Sequence, residues 1–193
     1  MHVAPVKSMC ILAIADHPPM VGTQTVQEYH MANKSSFEPQ EWTQIVDGVL
    51  SAGLAVSMAD PSGLIGMVQE GFASAKNLAG AKSDPNAGEL VKAIVADLET
   101  SEGRTAARDG LKATLKGKTR GDAKTACIAA LKVASALVST KAPQDAAAFK
   151  SWLLQISQHV AEASTEGGFL GFGGVAVSDT EKATLTDIAR ALG

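Results

Sequence analysis

From Phe37 onward apolar residues recur at intervals of three and four, and sustained alternation of period two is missing. Such spacing puts one stripe of each segment toward a core and predicts helices. Trp42, Ile45, Val46, Val49 and Leu50 form the first stripe. Between Val49 and Ala59 only Ser51 and Ser57 are polar, so this half is expected to be buried on every side, as the central helix of the fold. Ser35-Ser36-Phe37-Glu38-Pro39 offers cap hydroxyls, an early acid and a proline, the signature of a helix start. Asp60-Pro61-Ser62-Gly63 then breaks the chain and opens a second helix carrying Leu64, Ile65, Val68, Phe72 and Leu78, which makes a buried apolar helical hairpin near the N-terminus.

The pattern continues to the C-terminus. Ser83-Asp84-Pro85 is expected to start a third helix with Leu90, Val91, Ile94, Val95 and Leu98 inside, closed by the stretch from Thr100 to Gly103. Arg104 to Lys116 reads as an amphipathic surface helix with Ala107, Leu111 and Leu115 at spacing four. After a polar connection from Gly117 to Asp122, Ile128, Leu131, Leu137 and Val138 mark a longer helix that ends near Pro143. Phe149, Trp152, Leu153, Ile156 and Val160 mark the next, which runs to about Thr165. Residues 167–174 form a glycine-rich loop, Val175-Ala176-Val177 a short extended piece, and Ser178-Asp179-Thr180-Glu181 a capping box for a last helix with Leu185, Ile188 and Leu192 inside. The expectation is an all-α bundle of about seven helices without a long strand.

Composition agrees. The chain has 193 residues, 46% of them apolar but only 4% aromatic, so its core is built from small aliphatic side chains on closely approaching helices. A formal charge of −3 from 17 basic and 20 acidic residues selects no nucleic acid and no acidic lipid. Cys10 and Cys127 lie far apart without metal-ligand spacing.

Residues 1–30 differ in character, with Pro5, Pro18, Pro19, three of the four histidines and no helical period. The apolar stretch from Cys10 to Ala15 is too short for a signal peptide and is closed by Asp16. Gln27-Glu28-Tyr29-His30-Met31 can be encoded with AGGAG six nucleotides before an ATG, the layout of a bacterial ribosome-binding site. Residues 1–30 are therefore expected to be a disordered leader upstream of a native start at Met31, with residues 31–193 as a single helical domain in the cytoplasm.

Two loops carry the candidate chemistry. The glycine loop lacks the lysine and hydroxyl of a phosphate-binding loop and no strand precedes it. Phe169 and Phe172, freed by Gly171 and Gly173, either fold onto the core or bind a partner protein. Asp60, Glu166, Asp179 and Glu181 stand at helix breaks and would hold a divalent cation if the two loops met, although neither loop has calcium-binding periodicity; capping is the alternative role. The basic run Lys112, Lys116, Lys118, Arg120 and Lys124 has no interleaved aromatics and reads as solvated surface. His159 lies on a packed helix without a nucleophile beside it and reads as structural, and Cys127 as a small buried hydrophobe; no catalytic residue is assigned. The apolar run from Val49 to Phe72 is interrupted too early by Asp60-Pro61 for a membrane span.

The segments Phe37-Glu38-Pro39-Gln40-Glu41-Trp42, Ala59-Asp60-Pro61-Ser62-Gly63 and Glu166 to Val175 resemble a family of small bacterial all-helical proteins, a likeness that implies a fold but no activity. More distantly, Val177-Ser178-Asp179-Thr180-Glu181 and the helix from Leu185 to Leu192 resemble the closing unit of TerB-like tellurite-resistance domains, with Gly173-Gly174 where that family has an Asp-Gly turn. This second likeness implies a stress-associated role and an acidic metal site, to which only Glu181 corresponds. The reading is a non-catalytic helical module that binds a protein or itself as a homodimer, with no resident cofactor. A divalent-metal domain or metal-dependent enzyme, and a membrane-associated bundle, are the alternatives.

Overall fold

The computed structural model describes residues 32–59, 80, 87–166 and 177–193. Within them the protein is all-helical and contains no strand. A 3-10 turn, Lys34–Ser36, leads into α1 (Pro39–Ser57), followed by α2 (Glu89–Leu98), α3 (Ser101–Leu115), α4 (Arg120–Lys141), α5 (Pro143–Glu166) and α6 (Asp179–Leu192).

Helix α1 is the hub. It packs most extensively on α4 and also touches α3, α5 and α6. Trp42, Ile45, Val46, Val49 and the whole stretch from Leu54 to Ser57 are buried, as the unbroken apolar sequence requires. Small residues set how near its neighbours come. Gly48 faces Ala134 of α4 so closely that a Cβ there would collide with the alanine methyl, while Ala52 lends its carbonyl to the buried Ser157 hydroxyl of α5 at 3.1 Å. The second arm of the expected hairpin, Leu64 to Leu78, lies outside the described residues.

Helix starts differ from expectation at four places, and at α1, α3 and α4 a cap competes with the hydrophobic pattern. Ser35 and Ser36 belong to the 3-10 turn, which Asn33 caps through its Oδ1 (2.9 Å from Ser35 N); α1 instead follows the cap residue Glu38, whose backbone N–H donates to Glu41 Oε2 at 2.9 Å. Helix α2 starts at Glu89 behind Gly88, since residues 87–88 are not helical; Ser83-Asp84-Pro85, the expected start, lie outside the described residues. Thr100 opens α3 rather than closing α2: its Oγ1 accepts from Gly103 N at 2.9 Å, and Gly103 is tolerated because any side chain would strike the Asp97 carbonyl. Likewise Thr119 caps α4, which starts inside the stretch expected to be a loop.

The other stripes fall where the pattern puts them. Leu90, Val91, Ile94, Val95 and Leu98 are buried, as are Phe149, Trp152 and Leu153 of α5 and Ile188 and Leu192 of α6. Asp97 ties the N-terminal turn to the core by accepting from Trp42 Nε1 and Lys34 Nζ, each at 2.7 Å. At the other end Ser135 of α4 donates to the Leu192 carbonyl at 3.0 Å, satisfying one of the orphan acceptors of α6.

Candidate functional site: an open groove on α5 and α6

Helices α5 and α6 leave an open groove of about 530 Å³ on the outer face, lined by Ser151, Leu154, Gln155 and Gln158 from α5 and Leu185, Thr186 and Ala189 from α6. The lining follows from helical geometry. Ser151, Leu154, Gln155 and Gln158 recur at three and four, on the face of α5 turned away from Phe149 and Leu153. Leu154 is 38% exposed, one of two large apolar side chains so exposed among the described residues; Val133 of α4 is the other. No charged side chain lines the groove, and its polar groups are amides and hydroxyls beside Leu154, Leu185 and Ala189.

A different polar cluster sits inside the bundle. Asp47 and Ser51, four apart on α1, face α3 and α4, with Asp47 against Gly110 and Ser51 beside Cys127. Among the described residues Asp47 Oδ1 and Ser51 Oγ are buried without a nitrogen or oxygen partner, and the Cys127 thiol lies beside the Ser51 hydroxyl. Burial pushes the Asp47 carboxyl above its ordinary range. Burial also pushes the Cys127 thiol up, with the Ser51 hydroxyl pulling partly the other way, which favours the protonated thiol.

The expected site residues are placed as follows. Ser178 and Glu181 form the capping box, with Glu181 Oε2 accepting from Ser178 N and Ser178 Oγ at 2.8 Å each, and Glu181 itself is buried. Asp179 is exposed and pairs with Lys182 at 3.1 Å. Asp60, Phe169, Gly171, Phe172 and Gly173 lie outside the described residues, and Glu166 ends α5 with its side chain outside them. No group of three His, Cys, Asp or Glu side chains with metal-holding geometry occurs among the described residues. His159 is exposed on α5 instead of packed in the core, because it falls on the solvent side of the Phe149, Leu153 and Ile156 stripe.

The basic run is only partly solvated. Lys112, Lys116 and Lys118 are exposed, but Arg120 Nε donates to the Met58 carbonyl at 2.9 Å, closing the C-terminal end of α1, and Lys124 Nζ reaches Thr184 Oγ1 at 3.3 Å. Helix α4 is long and apolar enough to cross a membrane by length and composition, with a third of its most apolar window buried in the bundle. The run weighed for a span in the sequence was Val49 to Phe72, which Asp60-Pro61 interrupts, and not this helix.

No family model, curated protein or solved structure matches the chain. The groove's own chemistry therefore carries the functional reading.

Proposed function

We propose that the protein is a non-catalytic helical module that binds a protein partner through the α5–α6 groove, and that the occupant is an amphipathic helix. The exposed Leu154 in an uncharged groove supports this: Leu154, Leu185 and Ala189 offer apolar contact, and Gln155, Gln158, Ser151 and Thr186 offer hydrogen bonds. In this reading the bundle has about seven helices, with Leu64 to Leu78 folded back on α1 as the second arm of a buried hairpin. The chain then acts in the bacterial cytoplasm, in keeping with the stress-associated role implied by the TerB-like resemblance, and Phe169 and Phe172 in the α5–α6 connection extend the binding surface.

The test is cross-linking from the groove. A photo-reactive residue at Gln155 should capture one defined protein in cells, and Leu154→Glu should abolish that capture while leaving the melting temperature unchanged. Capture that persists in Leu154→Glu would overturn the groove as the binding surface. A melt in EDTA and in each of several divalent metals addresses the metal-bound alternative, because a ligand of the native state raises stability by mass action. A metal-specific rise that disappears in Glu181→Ala would replace the partner-binding reading.

A further inference from the structure

Asp145, in the first turn of α5, is 6% exposed, and among the described residues it forms no ion pair. Its Oδ1 accepts from Leu90 N and its Oδ2 from Ala32 N, both at 3.4 Å. Gly88, the cap of α2, has no side chain to cap with, and a Cβ on it would stand 3.0 Å from Asp145 Oδ1. The carboxylate thus serves as the α2 cap from across the fold, between the positive N-terminal ends of α2 and α5. Two neutral donors near the long limit of hydrogen bonding are weak compensation for a buried carboxylate.

The second oxygen is aimed at the backbone nitrogen of a residue that is itself only 3% exposed and directly follows Met31. Upstream of Met31 the residues Gln27-Glu28 permit the AGGAG element, and alanine in second place is small enough for methionine aminopeptidases to remove the initiator. We propose that the mature protein begins at Ala32, and that its α-ammonium group forms a buried ion pair with Asp145. The processing step is hydrolysis. The Met31–Ala32 C–N bond breaks, the oxygen of water goes to the methionine carboxyl, and the Ala32 nitrogen takes up protons to become an ammonium group. A full positive charge then faces Asp145 where a peptide N–H would otherwise stand, and a charge-assisted hydrogen bond is about twice as strong as a neutral one. Asp145 would join the new chain end to the starts of α2 and α5.

The first experiment is the intact mass of the protein isolated from its native cells. A chain starting at Ala32 is expected; a chain that keeps Met31 or any earlier residue overturns the proposal. The second compares the full 193-residue chain with one starting at Ala32, each with and without Asp145→Asn. The Ala32 chain should melt several degrees higher than the full chain, and Asp145→Asn should remove that difference. An Ala32 chain that fails to fold, or a difference that survives Asp145→Asn, overturns the ion pair, while the mass measurement stands whether or not the variant folds.

Discussion

The α1–α4 seam and the outer face of α5 and α6 both draw on Ala, Leu and Ser with few aromatics, yet one is closed and the other open. At the seam Gly48 meets Ala134, and Val49, Ala52, Leu131 and Val138 are sealed from solvent. On the outer face Leu154 and Leu185 keep part of their surface in water, and amide and hydroxyl groups stand between them. Small residues at a crossing let backbones approach until no space is left. The same kinds of residue beside glutamines leave a trough. Stability should therefore be concentrated at the seam, and change at the groove should be tolerated.

The sharpest way to break that contrast is Gly48→Leu. The side chain has no room against Ala134 and the Ala130 carbonyl, and overpacking should cost about 3 kcal/mol, read as a lower urea midpoint at unchanged slope. Gly121→Ala, on α4 but with open space around it, is the matched control and should not lower the midpoint. Next in size is Ser178→Ala at the entry to α6, which removes the cap hydroxyl and should cost about 1 kcal/mol in the same assay.

A smaller effect of opposite sign is expected inside the bundle. Because burial raises the folded-state pKa of Asp47, the folded chain holds this proton more tightly than the unfolded chain. The stabilising contribution is complete below the unfolded carboxyl value and is lost as pH rises through the folded one. Asp47→Asn should remove this decline and stabilise the protein at neutral pH by about 0.5 kcal/mol, a figure kept small because solvent screens a half-buried group. Urea melts across the acid range will show whether the slope disappears. The smallest stability change belongs to Leu154→Glu, within about 0.5 kcal/mol by thermal melting, since its side chain is already partly in water.

Much of the fold was legible in the sequence because buried stripes obey one period. Trp42 to Val56, Leu90 to Leu98 and Phe149 to Leu153 could each be placed from spacing alone, and the Ser178–Glu181 box from its cap chemistry. Helix starts were harder. Whether Thr100 ends one helix or begins the next depends on one hydroxyl–amide bond and on the room Gly103 leaves for the Asp97 carbonyl, neither of which periodicity records. The groove was not foreseen, since the i, i+3, i+4 stripe of Phe149, Trp152, Leu153 and Ile156 gives no sign that the adjacent Leu154 faces a trough shared with Leu185 and Ala189. Asp47 and Asp145 were also passed over: an acid inside an apolar run signals burial only when the elements facing it are known.

Cys127, closed in between α1 and α4, also makes the seam a clock. A thiol reagent reaches it only in molecules where the seam has opened, so at high reagent concentration the labelling rate at this site, separated from Cys10 by peptide mapping, counts openings per unit time, and at low concentration it follows the open population and converts to an opening free energy in water without denaturant.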